Sequence, residues 1–105
     1  MTTFDKREQG FEAKFIHDEE LRFKVMARAN KLLGNWAAAQ LGLAGEQATA
    51  YANDVVTTHL ETQTIDDVLQ KVAGDLAAKG VSRKQVADRM QEYTQAALAQ
   101  IEAGK

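Results

Sequence analysis

From Leu21 to Leu41, apolar residues recur every three or four positions. Leu21, Val25, Ala29, Leu32, Trp36 and Ala39 set one stripe, and Met26, Leu33, Ala37 and Leu41 widen it. That period is one face of an α-helix, so the pattern predicts a helix over about 17–41, stopped by Gly42. Asp18, Glu19 and Glu20 fall in its first turn, where acids suit the positive end of the helix dipole. Ala48, Tyr51, Ala52, Val55, Val56, His59 and Leu60 predict a second helix over about 46–60. No Ser, Thr, Asp or Asn stands just before it, so its start is expected to be poorly capped. Ile65, Val68, Leu69, Val72, Ala73 and Leu76 predict a third over 65–79, with Thr64 as N-cap, Asp66 and Asp67 in the first turn and Gly80 as stop. Val86, Met90, Tyr93, Ala97, Leu98 and Ile101 predict a fourth over about 83–103. Ser82 with Gln85 three residues on is a capping box for it, and Val81 can staple against Val86.

The predicted connections are short, which makes sequential helices antiparallel neighbours. The expected fold is all-α: a single-domain antiparallel four-helix bundle over residues 17–105, preceded by a flexible segment, 1–16.

Composition supports this picture. The 105 residues suffice for one small core, and 45% are apolar while proline is absent. Absence of cysteine excludes disulfides and thiolate chemistry. No stretch approaches the roughly 20 apolar residues of a membrane span, and the start lacks the apolar run of a signal peptide. A soluble cytoplasmic chain is the expectation. The net charge of −2 hides zoning: residues 21–42 carry four bases and no acid, and residues 43–70 five acids and no base. Helices of opposite sign attract when paired, although solvated faces alone account for such zones.

Candidate chemistry is sparse. His17 and His59 are the only histidines. No spacing among them and the carboxylates fits a zinc site, so no metal is expected. The glycines Gly10, Gly34, Gly42, Gly45, Gly74, Gly80 and Gly104 read as punctuation, and none forms a phosphate-cradling loop. No nucleophile and base are singled out, so the chain is not expected to be an enzyme. The stretch LAAKGVSRKQVADRM, Leu76 to Met90, has the look of a helix-turn-helix junction. It supports an alternative reading: a small helical adaptor or nucleic-acid-binding protein using the basic face around Arg83, with Lys84 and Arg89. The overall charge does not suggest a nucleic-acid partner.

The opening segment, TTFDKREQGFEAKFIHDEE, is different. On a helix Phe4, Phe11 and Phe15 lie within about 60° of one another, amid Asp5, Lys6, Arg7, Glu8 and Glu12. Gly10 costs roughly 1 kcal/mol against Ala in a helix interior, and a lone helix this short is marginal in water. Two readings stand: a segment that is frayed alone and orders in a partner's groove, or a loose extension of the first helix.

A resemblance separates them. Phe4-Asp5-x-Arg7-Glu8, Phe11-Glu12-Ala13-Lys14-Phe15, His17-Asp18-Glu19-Glu20-Leu21-x-Phe23-Lys24 and Lys31-Leu32-Leu33-Gly34-x-Trp36-Ala37-Ala38 closely resemble the zeta subunits of alphaproteobacterial ATP synthases. The likeness runs along essentially the whole chain. It implies a four-helix inhibitor that binds the catalytic head of ATP synthase. In that family the N-terminal segment enters a catalytic interface between alpha and beta subunits, beside the central-stalk gamma subunit, and stops rotation in the hydrolytic direction. Carried onto this chain, the partner-binding residues are Phe4, Asp5, Arg7, Glu8, Phe11, Glu12, Lys14 and Phe15, with the phenylalanines as anchors. The resemblance also implies a peripheral place on the cytoplasmic side of the inner membrane, a monomeric free form, and weak nucleotide binding at a site no residue pattern here assigns.

Overall fold

The computed structural model describes residues 18–104. Four α-helices follow one another: α1 Glu19–Gln40, α2 Gly45–Thr62, α3 Ile65–Leu76 and α4 Arg83–Glu102. A single 3-10 turn, Ala77–Lys79, extends α3, and no strand occurs among the described residues. The expected all-α four-helix fold is borne out.

The helix ends follow local chemistry. Asp18 is the N-cap of α1 rather than part of its first turn: its backbone is extended and Oδ1 accepts from Leu21 N–H at 3.0 Å. The helix therefore starts two residues later than the apolar pattern alone implies. Ala44 offers α2 no side-chain cap, as the sequence leads one to expect. The other end of α2 was not legible: it runs to Thr62 and closes on Gln63 in the left-handed region, φ 59°, without a glycine. Thr64 caps α3, accepting from Asp67 N–H at 3.0 Å. The last three residues expected of that helix tighten to 3-10 geometry before Gly80 turns the chain at φ 78°. Ser82 and Gln85 form the full capping box, with Gln85 N–H donating to Ser82 Oγ at 3.1 Å and Ser82 N–H donating to Gln85 Oε1 at 2.8 Å.

Helix α1 is the hub, touching α2, α3 and α4. It runs antiparallel to α2, with Gly34 beside Ala52, and to α4, with Arg28 bonded to Gln100 near the end of α4 and Trp36, further along α1, under Arg89. Two flanking partners bury a broad arc of α1: Val25, Met26, Ala29, Asn30, Leu33, Gly34, Ala37 and Ala38. The stripe expected from Leu32, Trp36 and Ala39 is thus rotated, with Leu32 and Trp36 half-buried and Ala39 exposed. Ala52, Val55, Val68, Leu69, Val72, Leu76, Val86, Met90 and Ala97 complete the core. Every buried hydrophobic residue among those described lies between Val25 and Ala97.

Gly34 corrects a reading. It is not punctuation but sits mid-helix, buried, where α1 and α2 come closest. Inward burial of Leu60 also fails: it is 49% exposed on the last turns of α2.

Candidate functional site

The eight residues the sequence singles out, Phe4, Asp5, Arg7, Glu8, Phe11, Glu12, Lys14 and Phe15, lie outside the described residues, as does His17. What the structure describes is the place where that segment meets the bundle. Asp18 holds an extended backbone, φ −80° and ψ 112°, and α1 begins immediately after it. Glu19 and Glu20 follow in the first turn, with Glu20 3.4 Å from Lys24. The join is therefore a capped helix start, stabilised locally by about 1 kcal/mol.

Beside this join lies an open groove of about 850 Å³ between the start of α1 and the α2–α3 corner. Phe23, Met26, Leu60, Ile65 and Leu69 supply its apolar lining, and Glu19, Arg22, His59 and Asp66 its polar parts. Phe23 is 58% exposed, and with Leu60 it makes up the large hydrophobic residues exposed among those described. Sequence periodicity missed the groove because it marks which residues could face a core, not where two helices and a corner leave one uncovered. Phe23 lay off the expected stripe, and that was the available signal.

Desolvation holds His59 below the ordinary histidine value. It is half-buried near the end of α2, as its place in the stripe suggested. The neighbouring hydroxyl, Thr64 Oγ1, is committed to the α3 cap: it accepts from Asp67 N–H and donates to Asp67 Oδ2, both at 3.0 Å. The groove thus brings together apolar surface with charges of both signs, which suits docking of a chain segment better than bond-making chemistry. Among the described residues, no group of three or more His, Cys, Asp or Glu is placed to hold a metal.

The basic face around Arg83 is present but its charges face acids. Arg83 pairs with Asp66 in the first turn of α3. Lys84 lies 3.1 Å from Asp88, and Arg89 lies 3.3 Å from Glu92 while its guanidinium covers the Trp36 ring at 5.6 Å. A phosphate backbone binds through a concentration of uncompensated positive charge, and this face is internally compensated.

A second polar cluster joins α2 to α3. Tyr51 donates to Asp75 Oδ2 at 2.8 Å, Lys71 Nζ lies 3.2 Å from the same oxygen, and Lys71 sits 5.2 Å from the Tyr51 ring centre. Burial first, then the bond to Asp75, pushes the Tyr51 phenol above its ordinary value, so it stays a protonated donor. This is a structural clasp.

No helix among the described residues is long and apolar enough to cross a membrane. Residues 1–100 match the family model described as ATPase inhibitor subunit zeta. No curated protein matches the chain.

Proposed function

The chain belongs to the ATPase inhibitor subunit zeta family, and from that premise we propose that it halts ATP hydrolysis by ATP synthase through its opening segment. An inhibitor role and association with ATP synthase follow from the family itself. The finer mechanism is our reading. Residues 1–16 enter a catalytic interface between alpha and beta subunits, next to gamma, and block rotation in the hydrolytic direction.

The observation that carries this reading is the extent of the family match, which begins at residue 1 and so takes in the segment. Two physical points support it. The buried hydrophobic core of the described bundle starts only at Val25, and α1 is closed by its own cap at Asp18, so the bundle does not draw on the segment to satisfy that helix start. The segment carries three phenylalanines and charges of both signs, a composition suited to burial in another protein's cleft. Phe4, Phe11 and Phe15 act as anchors. Asp5, Arg7, Glu8, Glu12 and Lys14 set register against charges in the cleft. On insertion the segment becomes helical while the bundle holds it in place. In this mechanism the chain acts by obstruction rather than catalysis.

The test is titration of the chain onto the catalytic head of its cognate ATP synthase while ATP hydrolysis is followed. Phe11→Ala and Phe15→Ala should each weaken inhibition while the free chain still unfolds in a single cooperative transition. Unaltered inhibition by both variants would remove the anchors from the mechanism.

A further inference from the structure

We propose that the groove at the start of α1 receives the chain's own opening segment when no partner is engaged, with Phe15 and Phe11 seated against Phe23, Met26, Leu60 and Leu69. The inference concerns the free chain and stands whether or not the segment also acts on the ATPase.

Three observations carry it. Phe23 and Leu60, the exposed large hydrophobics of the described chain, both line this groove, and Phe23 also borders a shallower hollow toward α4, so the groove is where the two uncovered side chains come together. The groove opens where the opening segment joins the bundle, with Glu19 in its wall and Asp18 turning the backbone out of the helix. The tether is short: Phe15 is three residues from Asp18 and Phe11 seven, so at full extension they reach roughly 11 Å and 25 Å. A segment on so short a tether has an effective concentration near the millimolar range, which a separate copy of the chain at micromolar concentration does not match.

The segment also fits the site chemically. Phe11 and Phe15 are four residues apart, so a single helical turn brings them to one face. Glu12 and Lys14 between them carry charges that complement Arg22 and Glu19 in the wall of the groove. Two anchoring rings can hold the segment without a firm backbone helix, so seating is compatible with Gly10 and a frayed main chain. A seated segment is withheld from any other partner, and the apparent affinity for that partner falls by the fraction of chains left open.

The absence of cysteine allows one probe position. A nitroxide is attached to the full chain through Gln9→Cys, and paramagnetic broadening of methyl signals is read. Strong broadening is expected at Met26, Leu60, Ile65 and Leu69, and none at Leu41 and Leu43 on the far corner. Adding Phe11→Ser and Phe15→Ser should weaken it markedly, leaving only the residual broadening of an unseated tether, with the remaining spectrum unchanged. Equal broadening in the serine variant overturns the proposal, because proximity alone would then produce it. Broadening in a mixture of spin-labelled and isotope-labelled chains also overturns it, since the occupant would then be a second copy.

Discussion

A β-carbon on Gly34 would lie 2.6 Å from the Cα of Ala52 and 3.0 Å from its Cβ. Helices α1 and α2 therefore meet backbone against backbone, and the obstacle at that contact is main chain, which no rotamer change removes. Ala52 is fully buried, so the helices cannot part without opening the core. Gly34→Ala should destabilise the bundle by about 1–3 kcal/mol. Gly74 is the control: it is exposed, in the last turn of α3, and has nothing within 4 Å of its added carbon. Gly74→Ala should gain roughly 0.5–1 kcal/mol. Urea unfolding of the two variants reads both signs, and a Gly34→Ala chain as stable as the parent would mean the helices approach less closely.

Asn30 lies fully buried on α1. Its Nδ2 donates to the Met26 carbonyl at 2.8 Å, while Oδ1 has no hydrogen-bond partner. An unsatisfied buried acceptor costs about 1–3 kcal/mol. Leucine has the same branched outline without that polar atom, so Asn30→Leu should hold or raise the denaturation midpoint. A clear loss of stability would indicate that Oδ1 is satisfied in solution.

Ser82 supplies half of the α4 capping box. Ser82→Ala should cost about 1 kcal/mol, which for a domain of this size lowers Tm by roughly 4–8 °C. An unchanged Tm would show that neighbouring contacts alone fix the start of α4.

His59 gives the bundle a pH dependence. Its folded-state pKa is lowered by burial, so the unfolded chain binds the proton more readily. Stability is then full above the ordinary histidine value of 6.5, and it is lost as pH falls through that value toward the depressed folded one. The charges that share its groove are Glu19 and Arg22 on α1 and Asp66 on α3. Thermal melts between pH 7.5 and about 5 should fall more steeply for the parent than for His59→Gln. Parallel slopes would contradict the assignment.

These outcomes turn on features of unequal legibility. Capping is local, so Ser82 with Gln85 and Thr64 with Asp67 could be read from spacing alone. The burial register of α1 could not, because which arc is covered depends on α2 and α4 closing on it from two sides. Asn30 and Gly34 look like outward residues in a periodicity and prove buried for that reason. The left-handed Gln63 had no glycine to announce it. Phe23 and Leu60 line a groove formed only when α1 meets the α2–α3 corner. The residues proposed as inhibitory, between Phe4 and Phe15, were singled out by resemblance, since amphipathicity alone left a loose extension of α1 equally open.

The central claim is that inhibition resides in residues 1–16, and it is tested most directly by deleting them. ATP hydrolysis by the cognate synthase head is measured with the full chain and with the chain that starts at residue 17, both checked for an intact bundle by their melting curves. The full chain should suppress hydrolysis and the shortened chain should leave it near the uninhibited rate. Equal suppression by both would contradict the claim and move the inhibitory surface onto the bundle.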